Sequence, residues 1–205
     1  MTDHTSARAV VFDFGGVLMK TVDYAPRHTW DDRLGLPRGS VERAVHNTKS
    51  WVEAQHGRLD INTYWADVAA RLQLDAGQVV ALAEDFYSGD QLDADLIALI
   101  RRVRGQGVPV ALLSNDSVDL RPRLERLGID SLFDPLVISA EIGVMKPERA
   151  AYTTVLDQLA LPPEVTVFID DRAENVEGAR AAGMQAIHYH PGLSAAQILS
   201  QIGYA

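Results

Sequence analysis

The chain has 205 residues, an apolar fraction of 47% and a net charge of −9 at pH 7. Those values suit a compact α/β domain with or without a small lid, and they argue against broad nucleic-acid binding or docking on an anionic membrane. The absence of cysteine removes disulfides, thiolate catalysis and cysteine-based zinc sites together. The start, MTDHTSARA, is polar and lacks the apolar stretch of a signal peptide. No apolar run approaches the ~20 residues of a membrane span, so a cytoplasmic location is expected. An anionic substrate stays open, because a local cluster or a metal can reverse the field.

In chain order, five short β-type runs stand out: residues 8–13 (RAVVFD), 108–114 (VPVALLS), 135–140 (PLVISA), 166–170 (TVFID) and 185–190 (QAIHYH). Helical patterns cover 93–104, 118–127, 148–159, 174–182 and 194–201, and Gly105, Gly128 and Gly183 fall where helices end. Strands alternating with helices predict a mostly parallel sheet covered on both faces. The interval 20–88 holds no good strand. It reads instead as about four helices, 26–35, 40–56, 62–72 and 76–87, rich in Trp, His, Arg and Ala. A helical insertion there would sit above the carboxyl ends of the strands, where an open α/β sheet binds its ligand.

Four strand ends carry chemistry. The first run ends in Asp13-Phe14-Gly15-Gly16, an exposed acid entering a turn whose glycines let backbone approach a ligand. The second ends in Ser114-Asn115-Asp116, a hydroxyl and backbone N–H groups able to hold an anionic oxygen. Lys146 precedes Pro147 at a loop–helix junction, because proline suits a first helical turn. Asp170-Asp171 follow a buried strand, where adjacent acids are costly without a cation or strong hydrogen bonds. Magnesium favours such carboxylates. Taken singly, each has a plainer role: turn starter, helix cap or solvated lysine. Together they occur in the order Asp, Ser, Lys, Asp-Asp at the ends of one sheet.

That ordered set, from FDFGGVL through LLSND and GVMKPE to FIDDRAENVEGARAAGM, resembles the haloacid dehalogenase-like (HAD) hydrolase superfamily over nearly the whole chain. The GGVL turn, the KPE box and the DD-x₃-N segment are similar to the branch holding sugar-1-phosphate phosphatases and the phosphatase domain of soluble epoxide hydrolases. The resemblance implies a Rossmann-like core, residues 1–19 and 89–205, with a small α-helical cap at 20–88. It implies a phosphatase acting on a small phosphorylated metabolite, with a sugar phosphate among the candidates. Asp13 would attack phosphorus and form an aspartyl-phosphate. Mg²⁺ would be held by Asp13, the Gly15 carbonyl and Asp171, with Asp170 beside them. Ser114, with backbone N–H groups near Asn115, would bind a phosphoryl oxygen, and Lys146 would pair with Asp13 and the phosphate.

Two positions depart from the family pattern. Phosphatases of the superfamily usually carry a second Asp two residues after the nucleophile as general acid and base. Here that position is Gly15, so help typically worth ~10²–10⁴-fold is missing or comes from elsewhere. A substrate with a good leaving group, such as an anomeric or acyl phosphate, is one solution. A cap residue or water is another, with His46, His56, Arg58 and Asp60 as polar candidates. A slow or non-catalytic phospho-ligand-binding protein is the third. Asn175 stands where members often have an acid, which leaves the metal site less anionic. A 2-haloacid dehalogenase would share Asp13 but not need Asp170-Asp171, and a phosphonatase would need an activated cap lysine, for which only Lys20 and Lys49 exist. Trp30, Trp51 and Trp65 are expected to pack the cap. Oligomeric state is not legible.

Overall fold

The computed structural model describes residues 8–204, so residues 1–7 of the polar N-terminal stretch read above lie outside it. In chain order the strands are β1 (Ala9–Phe12), β2 (Met19–Thr21), β3 (Asp90–Leu92), β4 (Val110–Ser114), β5 (Leu136–Ile138), β6 (Thr166–Asp170) and β7 (Gln185–His188). The helices are α1 (Ala25–Arg33), α2 (Ser40–His46), α3 (Lys49–Gln55), α4 (Ile61–Leu72), α5 (Ala76–Ser88), α6 (Ala94–Gly105), α7 (Leu120–Leu127), α8 (Ser139–Ile142), α9 (Arg149–Leu159), α10 (Ala173–Ala181) and α11 (Ala195–Gln201). Five strands form one parallel sheet in the order β5-β4-β1-β6-β7.

The apolar runs are continuous because both faces are buried. Val10, Phe12, Leu112 and Ile169 pack against α6, α7 and α11 on one face. Their neighbours Val11, Leu113 and Phe168 turn to α9 and α10 on the other, as the period of two in a strand requires. All five strand runs and the five core helices stand where the sequence placed them, within a few residues. One helix end differs. Gly105 is still helical, and Gly107, at φ 81°, supplies the left-handed residue instead.

Helices α1–α5 bury a separate apolar cluster centred on Trp30, Val41, Tyr64, Leu82 and Phe86. The single helix predicted over 40–56 is two. Asn47 leaves helical geometry, and the Thr48 side chain restarts the chain by accepting the Trp51 N–H at 3.1 Å. The same interval is flanked by an antiparallel ribbon of β2 and β3 that the sequence did not reveal. Each of its strands has only three residues, too short to show alternation. This ribbon ties both ends of the helical segment together at the edge of the site. At the far side, Gln55 Nε2 donates to the Asn115 carbonyl at 2.9 Å, and Ser139 Oγ donates to the Gln55 carbonyl at 2.6 Å. Gly57, at φ 69°, passes so close to the Ala140 carbonyl that a Cβ would lie 2.1 Å from its oxygen, so only glycine fits. The five helices therefore sit over the loops that follow β4 and β5. No described helix is long and apolar enough to cross a membrane.

Candidate active site

Sheet order brings the chemistry together. β1 is central, and the chain leaves it to either side, the switch point where such sheets bind ligands. Phe12 pairs with Ile169, so the next residues, Asp13 and Asp170, emerge side by side. Ser114 ends β4 on the other flank. Two adjacent buried carboxylates repel, and Lys146 resolves the conflict. Its Nζ lies 2.7 Å from Asp13 Oδ1 and 2.7 Å from Asp170 Oδ2, with the lysine side chain 1% exposed.

The reason Lys146 sits there differs from the sequence argument. Helix α9 begins at Arg149 with Glu148 as its cap, so Pro147 lies outside the helix. The anchor is Asn115. Its Nδ2 donates to the Lys146 carbonyl at 2.8 Å, and its Oδ1 accepts the Lys146 N–H at 2.8 Å. The sequence points to backbone N–H groups near Asn115 for the phosphate; the Asn115 side chain itself holds Lys146. Ser114 is buried, and its hydroxyl has no partner among the described residues, which leaves it able to donate to a ligand.

Asp170 is saturated. Besides Lys146, it accepts the Arg172 N–H at 2.8 Å and Asn175 Nδ2 at 3.0 Å. Asn175 thus orients Asp170 by a neutral hydrogen bond. Asp171 projects from the next position, and oxygens of Asp13, Asp170 and Asp171 all lie within 4.8 Å of one another. Gly16, at φ 80°, makes room for it: a Cβ there would fall 2.2 Å from Asp171 Oδ2. Gly15 is different, because a Cβ at that position would meet nothing within 4 Å. Of the two glycines, only Gly16 is demanded by local geometry.

The electrostatics are unbalanced. Burial pushes the Asp13 carboxyl up to about 7, against the pull of Lys146 and with the Asp170 charge adding to the push. Burial and Asp170 likewise raise Asp171. Three carboxylates share one lysine, and the uncompensated charge with an all-oxygen donor set suits a hard divalent cation. Asp13, Asp170 and Asp171 together supply oxygens for such a set.

Of the four polar candidates offered for the missing acid, only His46 lines the cleft over the site. Its Nδ1 lies 3.4 Å from Glu42. His56 bonds the Val52 carbonyl, Asp60 caps α4, and Arg58 pairs with Glu53. Lys20 pairs with Asp93 and Tyr189. Burial would lower its pKa, but those hydrogen bonds outweigh it and the pKa rises, which keeps it an ammonium and unsuited to imine chemistry. Trp30 is buried and donates to Asp85, whereas Trp51 and Trp65 both pack the helical cluster and line the cleft. Sequence reasoning gave no role of its own to Asp116, a cleft residue that burial pushes up to about 6. It also missed the carbonyl of Asp171 bonded by His188 Nε2 at 2.9 Å.

The family model described as haloacid dehalogenase-like hydrolase matches residues 7–183. The chain belongs to this family. Among its HAD relatives, a phosphatase of Mycobacterium tuberculosis is 31% identical over 194 residues, which cover 88% of this chain and 86% of that one. A sesquiterpene phosphatase of Aspergillus oryzae is 26% identical over 200 residues, 97% of each chain. A HAD family enzyme of Bacteroides thetaiotaomicron, whose structure was solved with magnesium and inorganic phosphate, shares the fold at a TM-score of 0.75 and 17% identity. The match covers 90% of this chain and 94% of that one.

Proposed function

We propose that this HAD hydrolase is a Mg²⁺-dependent phosphatase in which Asp13 is the nucleophile. One observation carries the reading: Lys146 bridges Asp13 and Asp170 at the carboxyl ends of adjacent strands, with Asp171 completing an oxygen cluster. An Asp13 oxygen attacks phosphorus, the bond to the ester oxygen breaks, and the leaving group departs with the electron pair. Water then cleaves the aspartyl-phosphate and restores the carboxylate. Lys146 favours the ionised form of Asp13 and neutralises the phosphoryl oxygens, and the Ser114 hydroxyl donates to one of them. Mg²⁺, held by Asp13, Asp171 and the Gly15 carbonyl, would supply the remaining positive charge. The magnesium and phosphate bound by the Bacteroides relative support that choice of ion.

Residues 20–88 act as the cap in this reading, and 1–19 with 89–205 as the core. The Mycobacterium and Aspergillus relatives, both phosphatases by name, support phosphate-ester hydrolysis. With no acid at position 15, the favoured substrates are those whose leaving oxygen is weakly basic. Acetyl phosphate is the direct test. Hydrolysis should require Mg²⁺ and vanish in Asp13→Asn; full turnover by that variant would sink the mechanism.

A further inference from the structure

The space above Asp13 is large for a small metabolite. A cleft of about 1560 Å³ runs between α1–α5 and the strand ends, against a usual ligand pocket of roughly 300–1,000 Å³. Part of its wall is apolar. Six large hydrophobic side chains are exposed among the described residues, and four of them, Val22, Tyr24, Val52 and Leu127, line this one cleft. Exposed apolar groups scattered singly need no explanation, but a cluster at a site marks contact with an apolar partner. An aromatic wall continues inward, with Trp51 5.2 Å from Tyr64 and Tyr64 5.2 Å from Trp65, ring centre to ring centre.

Many of the polar groups of the cleft are tied to one another, whereas Asn47, Lys49, Glu84, Asp119 and Arg126 have no side-chain partner among the described residues. Arg27 and Arg123 are both tied to Asp90, at 3.0 and 3.2 Å. Lys20 is tied to Asp93 and Arg172 to Glu174. Gln55 is bonded to Asn115, and His46 faces Glu42. A polyhydroxy leaving group lying against the tied residues would need to break such pairs to satisfy its own hydroxyls, and an unpaired buried hydroxyl is costly. A hydrocarbon group needs none of them.

Resting on the phosphatase reading above, we infer that the cleft takes the leaving group of the substrate and that this group is bulky and apolar, aromatic or hydrocarbon, rather than a sugar. The α1–α5 segment thereby selects substrates by buried apolar area, while the strand-end site handles only the phosphate.

The test must vary apolar area without varying leaving-group acidity. A series of 4-alkylphenyl phosphates does this, because the phenol stays near the tyrosine-like value of about 10. The expected result is a rise in kcat/KM of about 3–4-fold per added methylene until the cleft is filled, with the longer members at least tenfold better than glucose 1-phosphate. Val52→Asp should lower the ratio of kcat/KM for octylphenyl phosphate to that for acetyl phosphate by about tenfold or more. Binding of the matching alkylphenyl phosphonates, read by Trp51 and Trp65 fluorescence, should tighten along the same series. A flat series, or a preference for glucose 1-phosphate, with Asp13-dependent acetyl phosphate hydrolysis intact, overturns the substrate class and leaves the phosphatase reading standing. Loss of acetyl phosphate turnover in every condition overturns the phosphatase reading. In that case phosphonate binding still decides the cleft: no gain with chain length rejects it.

Discussion

Replacing Lys146 by methionine keeps the stem and removes the charge, which isolates the electrostatic conflict it resolves. The ammonium is 2.7 Å from one oxygen each of Asp13 and Asp170, and all three side chains are at most 9% exposed. At an effective dielectric of about 20, each contact is worth ~6 kcal/mol of direct attraction, but desolvating the ammonium offsets much of that. Breaking a buried pair while leaving its partner charged costs about 3–5 kcal/mol, a large share of the ~5–15 kcal/mol that holds a domain folded. Protonation limits the loss. Asp13 is already pushed up to about 7 with the lysine present, and without it the carboxyl rises further. A folded pKa above the unfolded one gives stability that is complete below the unfolded value and lost as pH rises through the folded value. Lys146→Met should therefore unfold in urea with a deficit of about 3 kcal/mol at pH 8 in chelator, shrinking toward pH 6 as Asp13 takes up a proton. Added Mg²⁺ should recover part of the deficit, since a cation bound only by the folded state stabilises it. Turnover of acetyl phosphate should fall by about 10²–10³-fold. Equal unfolding free energies for variant and parent at pH 8 without divalent ions would refute the idea that Lys146 compensates the paired acids.

Two further perturbations follow from the same geometry. Asp116 is raised to about 6 by burial, so its ionisation costs the folded state stability as pH climbs from about 4 through 6. Asp116→Asn keeps the oxygen that accepts the Ser117 N–H at 2.7 Å. The variant should gain on the parent by about 1–3 kcal/mol across that window and then level off. A difference that stays flat between pH 4.5 and 7.5 in urea titrations would count against the buried charge. Gly15→Asp meets no atom within 4 Å of its Cβ, so it should fold, and it restores a general acid beside Asp13. Rates on an alkyl phosphate should rise by ~10²-fold with little change on acetyl phosphate; equal effects on both would place the added carboxyl out of reach of the leaving oxygen.

The core was legible because its signals are local and redundant. Buried parallel strands write themselves as apolar runs such as VVF and VFI, and helices between them carry periodic leucines and glycine ends. The site was legible for a topological reason: an acid, a serine or an acid pair at the end of such a run must emerge on one edge of the sheet. The insertion was read only as helices. Thr48 breaks the predicted 40–56 helix through a single side-chain cap, which outweighs an otherwise continuous helical pattern. The ribbon of β2 and β3 exists only because residues 19–21 and 90–92 meet across the whole insertion, and no window of sequence contains both. The clamp of Asn115 on Lys146 spans 31 positions and is equally non-local. In each case the missed feature is a pairing, and the found feature is a property of one segment.

That division bears on the departure at Gly15. On the proposed reading, the carboxylates and the serine hydroxyl at the strand ends, with the lysine that Asn115 holds in the loop before α9, handle the phosphoryl group whatever is attached to it. What is attached meets the cleft, where Val22, Tyr24, Val52 and Leu127 are exposed. An acid at position 15 would project from the loop that also contributes Phe14, Gly15 and Gly16 to the cleft lining. A Cβ there meets nothing within 4 Å, so packing does not exclude an acid, and its absence fits a substrate whose leaving oxygen needs no proton. On the proposed reading, absence of the acid and an apolar cleft are two consequences of one kind of substrate: a phosphate on a weakly basic oxygen with a large hydrocarbon or aromatic body.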